Sequence, residues 1–385
     1  MRCFRVKFYI VECSKENSMN EKIEKKSGKG SRLEAVLALM LLTLIVLSVA
    51  FAVVLTVDYI QSLPDEPNHD PNNDPPTANA VFSGGIVPSM PVSDSNTKNV
   101  ALDSTYGVIV DVENGKVLAG KNADTQFEPA SMTKVMALIV ACEKLTQEDL
   151  QKQITYTEYY ADYEYNGLAL GIPSGNFDAT NDRFLIQDLL YGVGVMSAGD
   201  CTLMIAEYTH GSMDAFVAAM NQKVTELGLT KTHFVNASGN DDVDGNVTTA
   251  KEMAVIMAYA MQCPLICDIL SVDYYSYTAE YTDQDGSIKT YPRAFKSTLF
   301  EYDGCIDKNN RMYRYKLDRG VAFKLETIEA FMGKTGYLDE PQRSYLVCAG
   351  TGKATKNRYV AVVGESGKFA STMDDIKLLF DNYAE

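Results

Sequence analysis

Apolar and polar positions follow several distinct patterns along this chain, and each pattern predicts a different element. From Ala35 to Val57 twenty-three residues pass without a charge, enough for one helix across a hydrocarbon layer of about 30 Å. From Asp58 to Asn99 no period holds. Seven of the twelve prolines fall there among Asn, Asp and Ser, which predicts an extended linker. Beyond residue 100 the patterns are those of a folded domain. Tyr106–Asp111 and Val117–Ala119 flank Glu113-Asn114-Gly115-Lys116 and predict a hairpin, because Asn-Gly suits a type I′ turn. Ser131–Leu145, behind Pro129, is apolar on nearly every side and predicts a helix buried all round. Leu185–Tyr191, Cys201–Tyr208, Met213–Leu227 and Thr249–Met261 predict further helices. Thr335–Tyr337, Tyr345–Cys348 and Tyr359–Val363 are strand-like, and Thr372–Tyr383 predicts a closing helix.

Strands at both ends of a helical middle predict an α+β fold. Its core would be one antiparallel sheet completed by the chain termini and flanked by helices, with a helical subdomain built from the middle. The stretch from Ile269 to Phe331 is polar and rich in tyrosine, including Tyr274, Tyr275, Tyr277 and Tyr281, with Asp-Gly pairs at 285–286 and 303–304. It reads either as a hairpin insertion beside a cleft or as an ordinary surface excursion. The expected organisation is a basic segment over 1–34, a transmembrane helix over 35–57, the linker over 58–99 and the domain over 100–385.

Charge sharpens this picture. The chain of 385 residues carries a net −16, so a phosphate backbone would be repelled and nucleic acid is excluded as a partner. Residues 1–34 nevertheless hold nine Lys/Arg against five Asp/Glu. Lys22, Lys25, Lys26, Lys29 and Arg32 immediately precede the apolar run, which places the N-terminus in the cytoplasm and the domain outside, as a single-pass protein of the cell membrane. The rival is a cleaved signal peptide: Ala50-Phe51-Ala52 has the small-x-small pattern, although Val53-Val54-Leu55 continues the apolar run. Met19 is a second possible start, since Asn20–Arg32 with the apolar run is a complete signal. Cys3 and Cys13 would be cytoplasmic. The other six, Cys142, Cys201, Cys263, Cys267, Cys305 and Cys348, are too sparse for a disulfide scaffold, form no zinc pattern with histidine, and read as buried free thiols.

Candidate chemistry comes from three short elements in order. They are Ser131-Met132-Thr133-Lys134, Ser197-Ala198-Gly199, and Lys334-Thr335-Gly336. S-x-x-K, S-x-N and K-T-G together form a serine acyl-transfer site. A serine hydroxyl needs a base to attack a carbonyl, yet the chain has only His69, His210 and His233, so a Ser-His-Asp triad is poorly supported. Ser131 and Lys134 are spaced i, i+3 on one helix face. At the start of a buried helix the lysine is desolvated and near the positive end of the dipole, both favouring a neutral amine able to take the serine proton. The backbone N–H of Ser131 offers an oxyanion donor. Lys334 and Thr335 have the chemistry to bind a substrate carboxylate, and Gly336 lets a substrate backbone approach closely. No metal or organic cofactor is needed.

With these motifs, and with Glu128-Pro129-Ala130, Asp188-Leu189-Leu190-Tyr191-Gly192, Thr232-His233-Phe234-Val235-Asn236, Thr249-Ala250-Lys251-Glu252-Met253 and Gly333 to Tyr337, the chain from about Ser104 onward resembles the low-molecular-mass penicillin-binding proteins. These are the D-alanyl-D-alanine carboxypeptidases, with a serine β-lactamase-like or penicillin-binding transpeptidase-like fold. The resemblance implies Ser131 as nucleophile, Lys134 as base, Ser197 in proton relay, and Lys334 with Thr335 on the carboxylate of a peptidoglycan stem ending in D-Ala-D-Ala. It also implies N–H groups of Ser131 and Tyr337 in the oxyanion hole, β-lactams as covalent inhibitors, His233 as a packing residue and Asn236 as part of a structural turn.

Two departures matter. Gly199 stands where the family has the Asn that binds the substrate amide, and the thiol of Cys201, two residues on, is a poor replacement. The chain also leaves no room for the small β-rich domain and C-terminal anchor of many relatives, so anchoring is expected from the N-terminal helix. Besides carboxypeptidase activity, two other readings stay open. One is a penicillin-binding wall scaffold or sensor with weakened turnover. The other is a serine β-lactamase, for which the deacylating E-x-x-L-N pattern is missing after Ser197.

Overall fold

The computed structural model describes residues 80–157, 160, 182–240, 245–283, 285–299, 304–306, 312–314, 325–339 and 341–385. The expected basic segment, the transmembrane helix, the linker up to residue 79 and Cys305 as a thiol lie outside what is described.

In chain order the strands and helices begin with β1 (Lys98–Asn99), β2 (Tyr106–Asp111), β3 (Lys116–Lys121), β4 (Gln126–Phe127), α1 (Lys134–Lys144), β5 (Gln153–Thr155), β6 (Arg183–Leu185) and α2 (Ile186–Tyr191). Next come α3 (Gly199–His210), α4 (Met213–Glu226), β7 (Thr248–Thr249), α5 (Ala250–Ala260), α6 (Pro264–Ser271), β8 (Tyr274–Thr282) and β9 (Ile288–Lys296). The last are β10 (Gly304–Ile306), β11 (Met312–Arg314), β12 (Ile328–Leu338), β13 (Arg343–Gly352), β14 (Arg358–Ser366) and α7 (Phe369–Tyr383).

The main sheet runs β1-β3-β2-β14-β13-β12. All its pairs are antiparallel except β1 with β3. The expected closure by the two ends of the chain is present, with Val108, Ile109 and Val110 facing Val362, Ala361 and Val360. Alternate residues serve opposite faces. Val108, Val110, Val347, Val360 and Val362 join the core shared with α1 and α5. Ile109, Leu346, Ala361 and Val363 join Met373, Ile376, Leu379 and Phe380 of α7. A sheet covered on both faces needs apolar residues at every position, which explains why these strands read as unbroken apolar runs. α1 is buried from Lys134 through Cys142, as its all-round apolar pattern predicts.

Two expectations change, and a third, left between two readings, is decided. Residues 80–99 were assigned to the linker, but Phe82 is buried against the edge of Tyr259. Val81 N–H donates to Leu145 O at 2.8 Å and Val92 pairs with Lys116. This segment follows the domain surface and contributes β1, because Phe82 and Val81 find an apolar seat at the end of α1. The Tyr-rich region is a hairpin, β8 with β9, turned at Asp285-Gly286, and it belongs to a second sheet ordered β5-β6-β8-β9. Tyr275 stacks on Tyr191 with ring centroids 3.7 Å apart and donates to Asp188 at 2.6 Å, so two of the surplus tyrosines fasten this sheet to α2. His233 is no packing residue by its side chain, which is exposed; its backbone pairs with Val247 at 2.9 Å in both directions. Cys142, Cys201, Cys263 and Cys348 are buried free thiols and Cys267 is a half-buried one.

Candidate active site

Ser131 does not lie in the long helix. Ala130–Thr133 forms a 3₁₀ turn and α1 starts at Lys134. At three residues per turn the side chains at i and i+3 eclipse one another, which brings Lys134 Nζ to 3.2 Å from Ser131 Oγ. Lys134 is 1% exposed and donates to the Ser238 carbonyl at 2.6 Å. An amine held by that bond turns its remaining valences toward the serine. The carbonyl is positioned in turn by a polar scaffold. Asn236 Oδ1 accepts from the Gly239 N–H at 2.7 Å, and Asn246 accepts from the Val235 N–H at 2.7 Å while donating to Thr133 Oγ1 at 3.2 Å. Glu252, in the first turn of α5, accepts from the N–H groups of Thr230 and Lys231. The expected turn at Asn236 is therefore present, and it serves the base. Gly239 has φ +73°, and a Cβ there would overlap the Ala130 carbonyl, so only glycine lets this loop touch the nucleophile turn.

Burial pushes the Lys134 ammonium down to about 7. Asp200 and Cys201 oppose that shift, but burial also raises the Cys201 thiol well above its usual range. Asp200 is therefore the negative charge that counts near neutrality. The lysine thus exists in both protonation states around pH 7, as a group that takes and returns a proton must.

The second wall begins after a π-helical turn, Gly192–Met196, and Ser197 follows in the left-handed region at φ 64°. A non-glycine residue held there is strained, a feature concentrated at functional sites. Here it directs Ser197 Oγ to Lys334 Nζ, which donates to it at 2.9 Å. Lys334 is 1% exposed and also donates to the Thr335 carbonyl at 3.0 Å. Burial, reinforced by the Lys134 charge, drives its ammonium well below the usual range. The third wall is β12 itself, the edge strand of the main sheet. Thr335 Oγ1 lies 2.6 Å from Thr298 Oγ1. A Cβ on Gly336 would come within 3.0 Å of Pro129 O, so the strand runs close beside the nucleophile turn, with Tyr337 paired to Ser344.

All seven residues predicted for the site thus gather in one place. Hydrogen bonds link Ser131 to Lys134 and Ser197 to Lys334, and Thr335, Gly336 and Tyr337 follow on one strand. Gly199, the first residue of α3, leaves open space: a Cβ there would meet nothing within 4 Å. Cys201 does not fill it, because its sulfur packs against Gly192. Sequence reasoning missed Ser238, which acts through its backbone carbonyl and so carries no residue-type signal, and it also missed Thr298. It missed Asp200 too, although an acid three residues after the motif serine, in the first turn of a buried helix, is a usable signal.

A family model described as D-alanyl-D-alanine carboxypeptidase matches residues 93–363. The D-alanyl-D-alanine carboxypeptidase DacF of Bacillus subtilis is 28% identical over 190 residues, covering 49% of this chain and 46% of that protein. DacC of Escherichia coli is 30% identical over 179 residues, covering 46% of this chain and 44% of that protein. The chain thus spans under half the length of these curated relatives. The crystal structure of the Streptomyces K15 DD-transpeptidase superposes with a TM-score of 0.57 over 73% of this chain and 97% of that one, at 19% identity. That likeness establishes a common α+β fold of the penicillin-binding type.

Proposed function

The chain belongs to the D-alanyl-D-alanine carboxypeptidase family of serine peptidases, and from that premise we propose that it removes the terminal D-Ala from peptidoglycan stem peptides through an acyl-enzyme on Ser131. The observation that carries this is the buried amine of Lys134, shifted to about 7 and 3.2 Å from Ser131 Oγ. Neutral Lys134 accepts the hydroxyl proton as Ser131 Oγ attacks the penultimate carbonyl carbon. The N–H groups of Ser131 and Tyr337 receive the developing oxyanion. Lys134 returns that proton by way of Ser197, which is bonded to Lys334 and passes its own proton to the leaving D-Ala nitrogen as the C–N bond breaks; water then cleaves the ester and restores the Ser131 hydroxyl. Thr335, with Lys334 behind it, takes the terminal carboxylate of the substrate. A β-lactam would follow the same first steps and stop at the acyl-enzyme. In the same proposal residues 35–57 span the cell membrane and hold this domain outside it, on the linker that follows.

The reading is tested by incubating the purified chain with an acyl-D-Ala-D-Ala peptide and, separately, with a fluorescent penicillin. Release of D-Ala and a covalent fluorescent band are both expected. Neither appearing sinks the proposal.

Gly199 motivates a second reading, a penicillin-binding wall scaffold or sensor that acylates but turns over slowly. A Cβ at Gly199 meets nothing within 4 Å, so Gly199→Asn is expected to add one hydrogen bond to the substrate amide. At about 1 kcal/mol for such a bond, kcat/KM for D-Ala release is expected to rise roughly 3- to 10-fold. An unchanged or lower value would show that the site orients its substrate by other groups.

A further inference from the structure

Residues 297–299 connect β9 to the cleft, and each is held in place by a backbone hydrogen bond. Ser297 N–H donates to Asp273 O at 2.9 Å, and Leu299 is buried beside Gly333 while its N–H donates to Ser297 Oγ at 3.1 Å. Between them Thr298 N–H donates to Val195 O at 3.0 Å, in the π-helical turn that leads into Ser197. Ser297 and Leu299 face inward, and Thr298 is left half-buried with its hydroxyl 2.6 Å from that of Thr335. One residue outside the three motifs therefore holds two of them together, by its backbone on the Ser197 side and by its side chain on the strand.

We infer that Thr298 is a specificity-determining residue, and that its hydroxyl and that of Thr335 together form a two-donor seat for the substrate's terminal carboxylate. This rests on the acyl-transfer reading of the site. Two hydroxyl groups bring two protons, and the bond between them consumes only one. The other is available to an incoming anion. When a carboxylate arrives, the hydroxyl–hydroxyl bond is exchanged for two bonds to a charged acceptor, each roughly twice as strong as a neutral one. Such a seat is needed because Lys334 is occupied elsewhere: its amine is 1% exposed and bonded to Ser197 Oγ and the Thr335 carbonyl. Lys334 braces Ser197 and the Thr335 carbonyl behind the seat, and the two threonines make the contacts. The seat selects for a free terminal carboxylate and against an amide or ester, whose NH or alkyl group brings a donor or nothing to meet two donors.

The test compares acylation rate constants for benzylpenicillin and its methyl ester, which differ only in the carboxylate, in wild type, Thr298→Val and Thr298→Ser. Valine keeps the shape of threonine and removes the hydroxyl; serine keeps the hydroxyl. Thr298→Val is expected to slow acylation by the acid about 10-fold or more, as befits a lost hydrogen bond to a charged group, and to leave the ester rate within about 2-fold of wild type. Thr298→Ser is expected to stay within about 3-fold of wild type on both. Equal losses on acid and ester would mean that Thr298 only braces the cleft and would overturn the assignment, as would an undiminished acid rate in Thr298→Val. A wild type acylated by penicillin but inert toward the D-Ala-D-Ala peptide refutes the carboxypeptidase reading and leaves the Thr298 comparison decisive. A wild type acylated by neither compound removes both.

Discussion

Ser131→Ala is expected to abolish D-Ala release and covalent labelling by penicillin together, with D-Ala release falling by a factor on the order of 10⁵ to 10⁶, as for other nucleophile deletions. Among the described residues no second group is placed to replace it. Lys134 is a base without a hydroxyl to activate, and Ser197 is turned to Lys334. The fold is expected to survive, because the Ser131 hydroxyl contributes only its contact with Lys134 and a 3.5 Å approach to the Ser238 carbonyl. A circular dichroism melt alongside the labelling gel separates loss of chemistry from loss of structure. A labelled Ser131→Ala protein would place the nucleophile elsewhere.

The second large effect concerns Lys134. For a lysine acting as base the neutral form is the active one, so with its ammonium pushed down to about 7 the acylation rate is expected to rise with pH and level off above that value. The groups facing the amine are Asp200 and Cys201 of α3, which favour its charge, and Lys334 of β12, which shares the same buried space. Lys134→Met is expected to reduce acylation by about 10² to 10⁴, the usual worth of a positioned base. Lys134→Arg, which keeps a charge and cannot release it near neutrality, is expected to fail as badly. An active arginine variant would mean that the charge matters and proton transfer does not. Asp200→Asn should move the rising limb to lower pH, since removing the opposing negative charge lets burial lower the ammonium further. Rate constants for penicillin acylation between pH 5 and 9 check all three variants.

Much of this was legible in the sequence because the relevant physics is local. An apolar run with Asn-Gly inside it folds as a hairpin wherever it sits, and a helix apolar on every side has to be buried. The i, i+3 spacing of Ser131 and Lys134 needed only one turn of any helix to bring them together; that the turn is 3₁₀ tightens the contact without changing its logic. What escaped depends on distant partners. Ser238 acts through a carbonyl that any residue would supply, and Thr298 gains meaning only because β9 ends beside β12. Residues 80–99 look like linker by their prolines, yet Phe82 finds a seat formed by Tyr259, far along the chain. Strands β5 and β6 are three residues each, too short to show a period before β8 pairs with them.

The pairing of β2 with β14 has a kinetic side. Ile109 and Ala361 are neighbours in the sheet although almost the whole domain lies between them in sequence. Closing a loop of that length must precede any reward from the contact, and chains dominated by such pairings fold slowly. Until the final strand has left the ribosome, β2 and β13 lack the partner that lies between them and the sheet stays in two pieces. The nucleophile turn lies beside β12, while α1, which carries Lys134, packs in the core that Val108 and Val110 of β2 share, so the acyl-transfer site is held together only once β14 has joined the two pieces.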